Sequence, residues 1–264
     1  MITLILFNTL LIFVIAVLLF VIKKYTHGEK IERFIFLISP IATILCHYSS
    51  LIYTLFTGGD AIAYVSSNPN LILPIYPCNI VMWCALFYGF VKNTNGKLAL
   101  LLSDYIFWFG VASTLVGMFA NVDFIMNPTL SDWEVAKSIL AHATLLFNVL
   151  LIPIYGRLKP NFFRNITNIF ISVIVMYAIG LYCNFIFTVL VSAEAAYDVN
   201  SMFIIHSPFE GVAFLRYPII ALLALVIYLA IFTVCDLINT ERGNRWFNRL
   251  GNVFKKKNVD SNSR

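Results

Sequence analysis

Seven long apolar stretches, separated by gaps whose charge alternates, leave this 264-residue chain one kind of fold. They run roughly from Ile2 to Ile22, Phe34 to Phe56, Leu71 to Val91, Leu98 to Phe119, Val135 to Ile154, Thr167 to Val191 and Phe214 to Leu237. Each is about 19 to 25 residues, and at about 1.5 Å per residue such a helix crosses a hydrocarbon core of about 30 Å. Lys23, Lys24, Lys30 and Arg33 follow the first stretch, Lys92 and Lys97 the third, Arg157, Lys159 and Arg164 the fifth, and a basic tail the seventh. Only Lys137 and Arg216 fall in the other gaps, which carry Asp60, Asp123, Asp132, Glu134, Glu194, Asp198 and Glu210. The positive-inside rule then predicts an all-α, polytopic membrane bundle of seven transmembrane helices, with the N-terminus outside and the C-terminus cytoplasmic.

With 60% hydrophobic and 12% charged residues, the chain lacks the polar surface of a soluble globule. The expected organisation is a seven-helix transmembrane domain over residues 1–238 and a basic amphipathic cytoplasmic tail over 239–264. In that tail Trp246, Phe247, Leu250, Val253 and Phe254 recur at helical spacing between Arg245, Arg249 and Lys255 to Lys257. This pattern suits an interfacial helix on anionic inner-leaflet lipids. The net charge of +5 sits in loops and tail flanking spans, so lipid headgroups rather than nucleic acid are the expected partner. Cys46, Cys78, Cys84, Cys183 and Cys235 all lie in spans and none forms Cys-x-x-Cys, so neither a disulfide framework nor a metal site is expected, and no cofactor. Localisation in the cell membrane, as a multi-pass protein, follows.

In a bilayer the informative residues are polar ones within spans, because each needs a partner inside the bundle. Asp104 enters the fourth span from its cytoplasmic end, where Lys97 and Ser103 are the nearest groups to satisfy it. His47, mid-span in the second stretch, reads as a hydrogen-bonded core histidine. The third stretch differs: Pro74 and Pro77 cannot both sit in an undisturbed helix. The spacing predicts an irregular segment from Leu71 to Tyr76 and a helix beginning at Pro77. Cys78 then lies in a first helical turn, where free amide N–H groups favour a thiolate. Irregular backbone at this depth requires protein or a water-filled cavity around it, so a cavity is expected beside Cys78.

Ser131-Asp132-Trp133-Glu134 has capping-box spacing, which starts the fifth helix near Asp132 and carries His142 inward. Counted from the outer boundary, Cys78, His142 and Asn184 each lie seven residues in, about 10 Å deep. A thiol and an imidazole form a nucleophile and base pair. An amide such as Asn79 or Asn184 serves to orient the pair or to hold the oxyanion of an acyl-transfer intermediate. A buried small thiol and an unrelated core histidine explain the same residues without chemistry. Arg216 and Lys137 stand near the outer surface, at the height of a lipid phosphate, and interfacial snorkelling accounts for both equally. His206 lies between the last two spans, in a loop or a lid.

At these residues the sequence resembles the transmembrane protein 164 family, which also takes in the YwaF-like integral membrane proteins of bacteria. The resemblance rests on Tyr76-Pro77-Cys78-Asn79-Ile80-Val81, on His142 followed by Pro153 and Tyr155, and on Tyr182-Cys183-Asn184. Ser207-Pro208-Phe209 leading to Arg216-Tyr217-Pro218 extends it, so that about residues 70 to 220 are covered. It implies a phospholipid acyltransferase that uses a cysteine and a histidine, roles that fall on Cys78 and His142. The expected function is transfer of a fatty acyl group between phospholipid and lysophospholipid through a cysteine thioester. The rival is a non-catalytic substrate-binding or transport subunit whose broken third span holds a ligand.

Overall fold

The computed structural model describes residues 2–119, 129–159, 161–207 and 212–252. Those residues form an all-helical fold: α1 (Ile2–Tyr25), α2 (Glu29–Phe56), α3 (Ala61–Ser67), α4 (Pro77–Phe90), α5 (Lys97–Phe119), α6 (Trp133–Ile154), α7 (Phe162–Leu190), α8 (Ala193–Val199) and α9 (Tyr217–Asn239). Six of these, α1, α2, α5, α6, α7 and α9, are long and apolar enough to cross a membrane. The third predicted span is different in kind. A 3-10 turn at Pro69–Leu71 leads into a non-helical segment, and only the 14 residues of α4 are regular helix.

Local chemistry sets the boundaries. Asp132, not Ser131, caps α6, its carboxylate accepting the Glu134 N–H at 2.9 Å. The Ser131 hydroxyl pairs instead with Thr129. At the far end of α6 the chain turns at Gly156, whose φ of 66° is left-handed and suits a residue without Cβ. Asp60 caps α3 and Asn161 caps α7 through side-chain oxygens.

The core is the set α2, α4, α5 and α6, packed where small residues let backbones approach. A Cβ on Gly110 of α5 would come within 2.3 Å of Val149 and 3.1 Å of Val81, so three helices meet at that point. A Cβ on Gly89 of α4 would meet the Phe36 carbonyl of α2 at 2.7 Å. The helix α1 docks by Asn8, whose amide donates to the Met118 carbonyl at 2.5 Å, and by Thr26, bonded to Tyr155. On the other flank α7 joins α5, and α9 reaches α5 through Tyr228, whose hydroxyl donates to the Trp108 carbonyl at 2.7 Å. Large apolar side chains such as Phe13, Phe170 and Leu222 face outward, as a lipid solvent requires.

The basic residues that follow α1, α4, α6 and α9 collect at one end of the bundle, bound together by Arg157 with Glu32 and Arg164 with Asp104. Glu134, Asp60 and Asp132 stand at the opposite, acidic end. The tail folds back on the basic end: Trp246 stacks on Phe162 with centroids 4.5 Å apart, and its backbone N–H donates to Asp236. Residues 246–252 are helical. Val253, Phe254 and Lys255 to Lys257 of the expected interfacial helix lie outside the described residues, as do Asp123, Pro208, Phe209 and Glu210.

Candidate functional site

Pro77 has no N–H to offer a preceding turn, so the segment before it, residues 72–76, stays open and α4 begins at Pro77. Asn79 completes this start by accepting the Tyr76 N–H on its Oδ1 at 3.1 Å. Cys78 lies between them, with its sulfur facing the backbone amides of Cys78 and Asn79. A strap then closes over the open segment. Asn184 of α7 accepts the Ser201 N–H at 2.9 Å and donates to the Ser201 carbonyl at 3.3 Å. The Ser201 hydroxyl and the Met202 N–H both donate to the Ile75 carbonyl, at 3.2 and 2.9 Å.

The strap is strained as well as clamped. Asn200, Met202 and Phe203 hold left-handed φ values of 43°, 55° and 56°, a geometry that costs about 1–3 kcal/mol per residue. Met202 packs so closely on α7 that a Cβ on Gly180 would stand 2.8 Å from its side chain. Asn200 secures the far side, its Oδ1 accepting the N–H groups of Ile205 and His206. His206 therefore belongs to the strap. Protein covers one side of the open segment before Cys78, where buried Ser201 and Met202 bond the Ile75 carbonyl. Both candidate amides are engaged in this construction, Asn79 at the helix start and Asn184 at the strap.

His142 lies elsewhere on the core. Its Nδ1 is 2.7 Å from the Ser138 carbonyl; a carbonyl only accepts, so Nδ1 carries the proton and Nε2 the lone pair a base needs. The ring fills the notch left by Gly117, where a Cβ would come within 2.2 Å of it. No hydrogen bond joins His142 to Cys78, and their depths differ. Val81 and Val149 both meet Gly110, with Cys78 three residues above the first and His142 seven above the second. His142 is thus about 6 Å nearer the acidic end. The equal-depth expectation counted residues 71–76 as regular helix, whereas the 3-10 turn at Pro69–Leu71 and the turn that bonds the Ile75 N–H to the Leu73 carbonyl break the helical count before Pro77.

Lys137 is buried, its Nζ held 2.5 Å from Glu134 and 3.2 Å from the Tyr64 hydroxyl. Arg216 is exposed at the start of α9, its Nε donating to the Ala213 carbonyl at 3.3 Å. Asp104, fully buried, is satisfied by α7 rather than by Lys97 or Ser103: it accepts from Asn165 at 2.6 Å, Asn168 at 2.7 Å and Arg164 at 3.2 Å. His47 is hydrogen-bonded to the Asn70 backbone, as a core histidine is expected to be, while its Nε2 is buried without a hydrogen-bond partner.

Tyr105 of α5 was not singled out by sequence. Its hydroxyl is buried, unpartnered, and within electrostatic range of the Cys78 and Cys84 thiols and the Tyr217 and Tyr228 hydroxyls. A tyrosine one turn-step from Asp104 in an apolar stretch offers no pattern beyond being polar at depth, which is the signal that would have found it. Beyond Tyr217, a groove of about 410 Å³ runs between α7 and α9, lined by Val173, Ile174, Tyr177, Pro218, Ala221 and Leu222, and opens to the lipid side. A second, of about 440 Å³, continues past Leu225 to Phe170 and Leu229.

No curated protein and no solved structure matches the chain. A family model, described as the TMEM164 family, matches residues 1–236, which takes in the open segment before α4, Cys78, His142, the strap and all but the last turn of α9. Six apolar helices of spanning length and a match over nearly the whole bundle make this a multi-pass membrane protein that belongs to the TMEM164 family.

Proposed function

We propose that the protein is a lipid acyltransferase of the cell membrane, moving a fatty acyl group between phospholipids through a thioester on Cys78, with its basic end cytoplasmic. The observation that carries this reading is the setting of the Cys78 sulfur. It sits in the first turn of α4, facing two backbone amides, with the unpartnered Tyr105 hydroxyl in electrostatic range and an apolar groove of about 410 Å³ beyond Tyr217.

The thiol proton passes through water to His142 Nε2, and the sulfur attacks the ester carbon of the bound phospholipid. Water bridges the two groups because His142 stands about 6 Å higher along the helix axes. The oxyanion takes hydrogen bonds from the first-turn amides and from Tyr105, since the Asn79 and Asn184 side chains are occupied in orienting the backbone. The C–O bond breaks, and the leaving lysophospholipid alkoxide recovers the proton from His142. In the second half an acceptor lysophospholipid hydroxyl gives its proton to His142 and attacks the thioester. The C–S bond breaks and the proton returns to sulfur. Arg216 is the better placed partner for a lipid phosphate, because Lys137 already shares its charge with Glu134.

The test is transfer of a labelled acyl chain from phospholipid to lysophospholipid by purified protein in nanodiscs. Cys78→Ala abolishes it, His142→Ala lowers it by about 10²–10⁴-fold, and Tyr105→Phe by about 10²-fold. Transfer retained in Cys78→Ala rejects the covalent route. Tight retention of lipid by a wild-type protein that transfers nothing favours the rival reading, a binding or transport subunit with the strap closing over its ligand.

A further inference from the structure

Polar groups recur along the contact of α2 with α6 and α4, from the acidic end to the basic end. At the acidic end Lys137 and Glu134 of α6 bond Tyr64, and Ser50 of α2 lies beside Glu134. One turn deeper His47 is within electrostatic range of His142 and Lys137. Next come Thr43 and Asn148, joined by a hydrogen bond of 2.8 Å. At the basic end Tyr88 of α4 stands against Phe36 and within range of Arg157, which pairs with Glu32 at 2.6 Å. Pro40 lies between Asn148 and Tyr88 in height, and the Phe36 carbonyl that it leaves without an intrahelical donor is covered by Gly89 of α4. From Ser50 to Glu32 the seam covers nineteen residues of α2, a rise of about 27 Å, close to the thickness of a hydrocarbon core.

Along this seam, valences stay open. His47 Nε2, Asn148 Oδ1, Tyr88 OH and Arg157 Nε are all buried without hydrogen-bond partners. Asn148 and Tyr88 are only 3% and 4% exposed. Buried groups of this kind ordinarily find water when protein supplies no partner. Here donors and acceptors are both represented, spaced about one or two helical turns apart, and both ends reach charged groups with partly exposed side chains: Glu134 at one and the Glu32–Arg157 pair at the other. We infer that the α2/α6 seam holds a file of bridging waters that conducts protons between the two faces of the bundle.

A proton entering from the Glu134 side protonates His47 at Nε2, is handed along waters past Asn148, and leaves by Tyr88 toward Glu32. Each group returns to its starting state, and the driving force is the proton electrochemical gradient. This inference is independent of acyl transfer, since neither Cys78 nor the strap takes part. It is tested with the full chain in phospholipid vesicles that contain a pH-sensitive dye, with a potassium gradient and valinomycin setting the potential.

Wild-type vesicles are expected to acidify about ten-fold faster than protein-free ones, as a polar relay through the hydrocarbon allows. His47→Leu and Asn148→Leu bring the rate back to the protein-free value. Tyr88→Phe, which removes one oxygen and keeps the ring packing, lowers it by about ten-fold and carries the test should the leucine variants fail to fold. Wild-type flux equal to that of protein-free vesicles overturns the inference. So does flux that survives unchanged in Tyr88→Phe and in a folded His47→Leu, because conduction would then follow the protein–lipid boundary.

Discussion

Two buried polar regions of this bundle look alike in composition and differ in bookkeeping of hydrogen bonds. Around Asp104, a carboxylate without any exposed surface receives three donors, two amides and a guanidinium, all from the first two turns of α7. Along the α2/α6 seam, four buried atoms on His47, Asn148, Tyr88 and Arg157 receive none. The first region fixes a helix in place. The second leaves valences that a mobile species can use, and the buried Tyr105 hydroxyl, within electrostatic range of Cys78, is unpartnered in the same way. Saturation, rather than the number of polar residues at depth, separates scaffold from candidate site.

Substitutions that sharpen the contrast run from large to small. Asp104→Ala strands Arg164 and two amides, and is expected to cost about 3–5 kcal/mol in reversible unfolding in detergent. A loss below 1 kcal/mol would mean that the cluster does not anchor α7. Gly117→Ala drives a Cβ into the His142 ring and is expected to cost about 1–3 kcal/mol, with most of it recovered when His142→Ala is added. Absence of that recovery would place His142 off the notch. Asp132→Ala removes the α6 cap for about 1 kcal/mol, read as a small fall in melting temperature. Smallest in stability is His47→Leu: the buried Nε2 has no partner to lose and only the bond to the Asn70 backbone is removed, so unfolding is expected to change by about 1 kcal/mol or less. A destabilisation as large as that of Asp104→Ala would show His47 to be saturated after all.

Much of the fold was legible from short-range patterns. Long apolar runs and alternating basic gaps marked the helices and their up-and-down order, and Pro74 with Pro77 marked the open segment and the start of α4. What was not legible depends on pairs far apart in sequence. Asp104 finds its partners about 60 positions away on α7, where nearer Lys97 and Ser103 had been expected. Asn184 reaches Ser201, which in turn reaches back 126 positions to Ile75, and no local pattern announces such a clamp. Depth could be counted along each helix, but azimuth could not, so His47 and His142 were not linked and Cys78 and His142 were set level. The open segment also broke the count itself, because its turns do not follow regular helical rise.

The central claim is that the Cys78 sulfur carries an acyl group during turnover. Intact-mass spectrometry of the protein after a short incubation with a phospholipid of defined chains tests it most directly. The expected result is a single added fatty acyl mass that maps to Cys78, disappears with neutral hydroxylamine and is absent in Cys78→Ala. Acyl transfer proceeding at full rate with no such adduct, or with the adduct on another residue, would contradict the account.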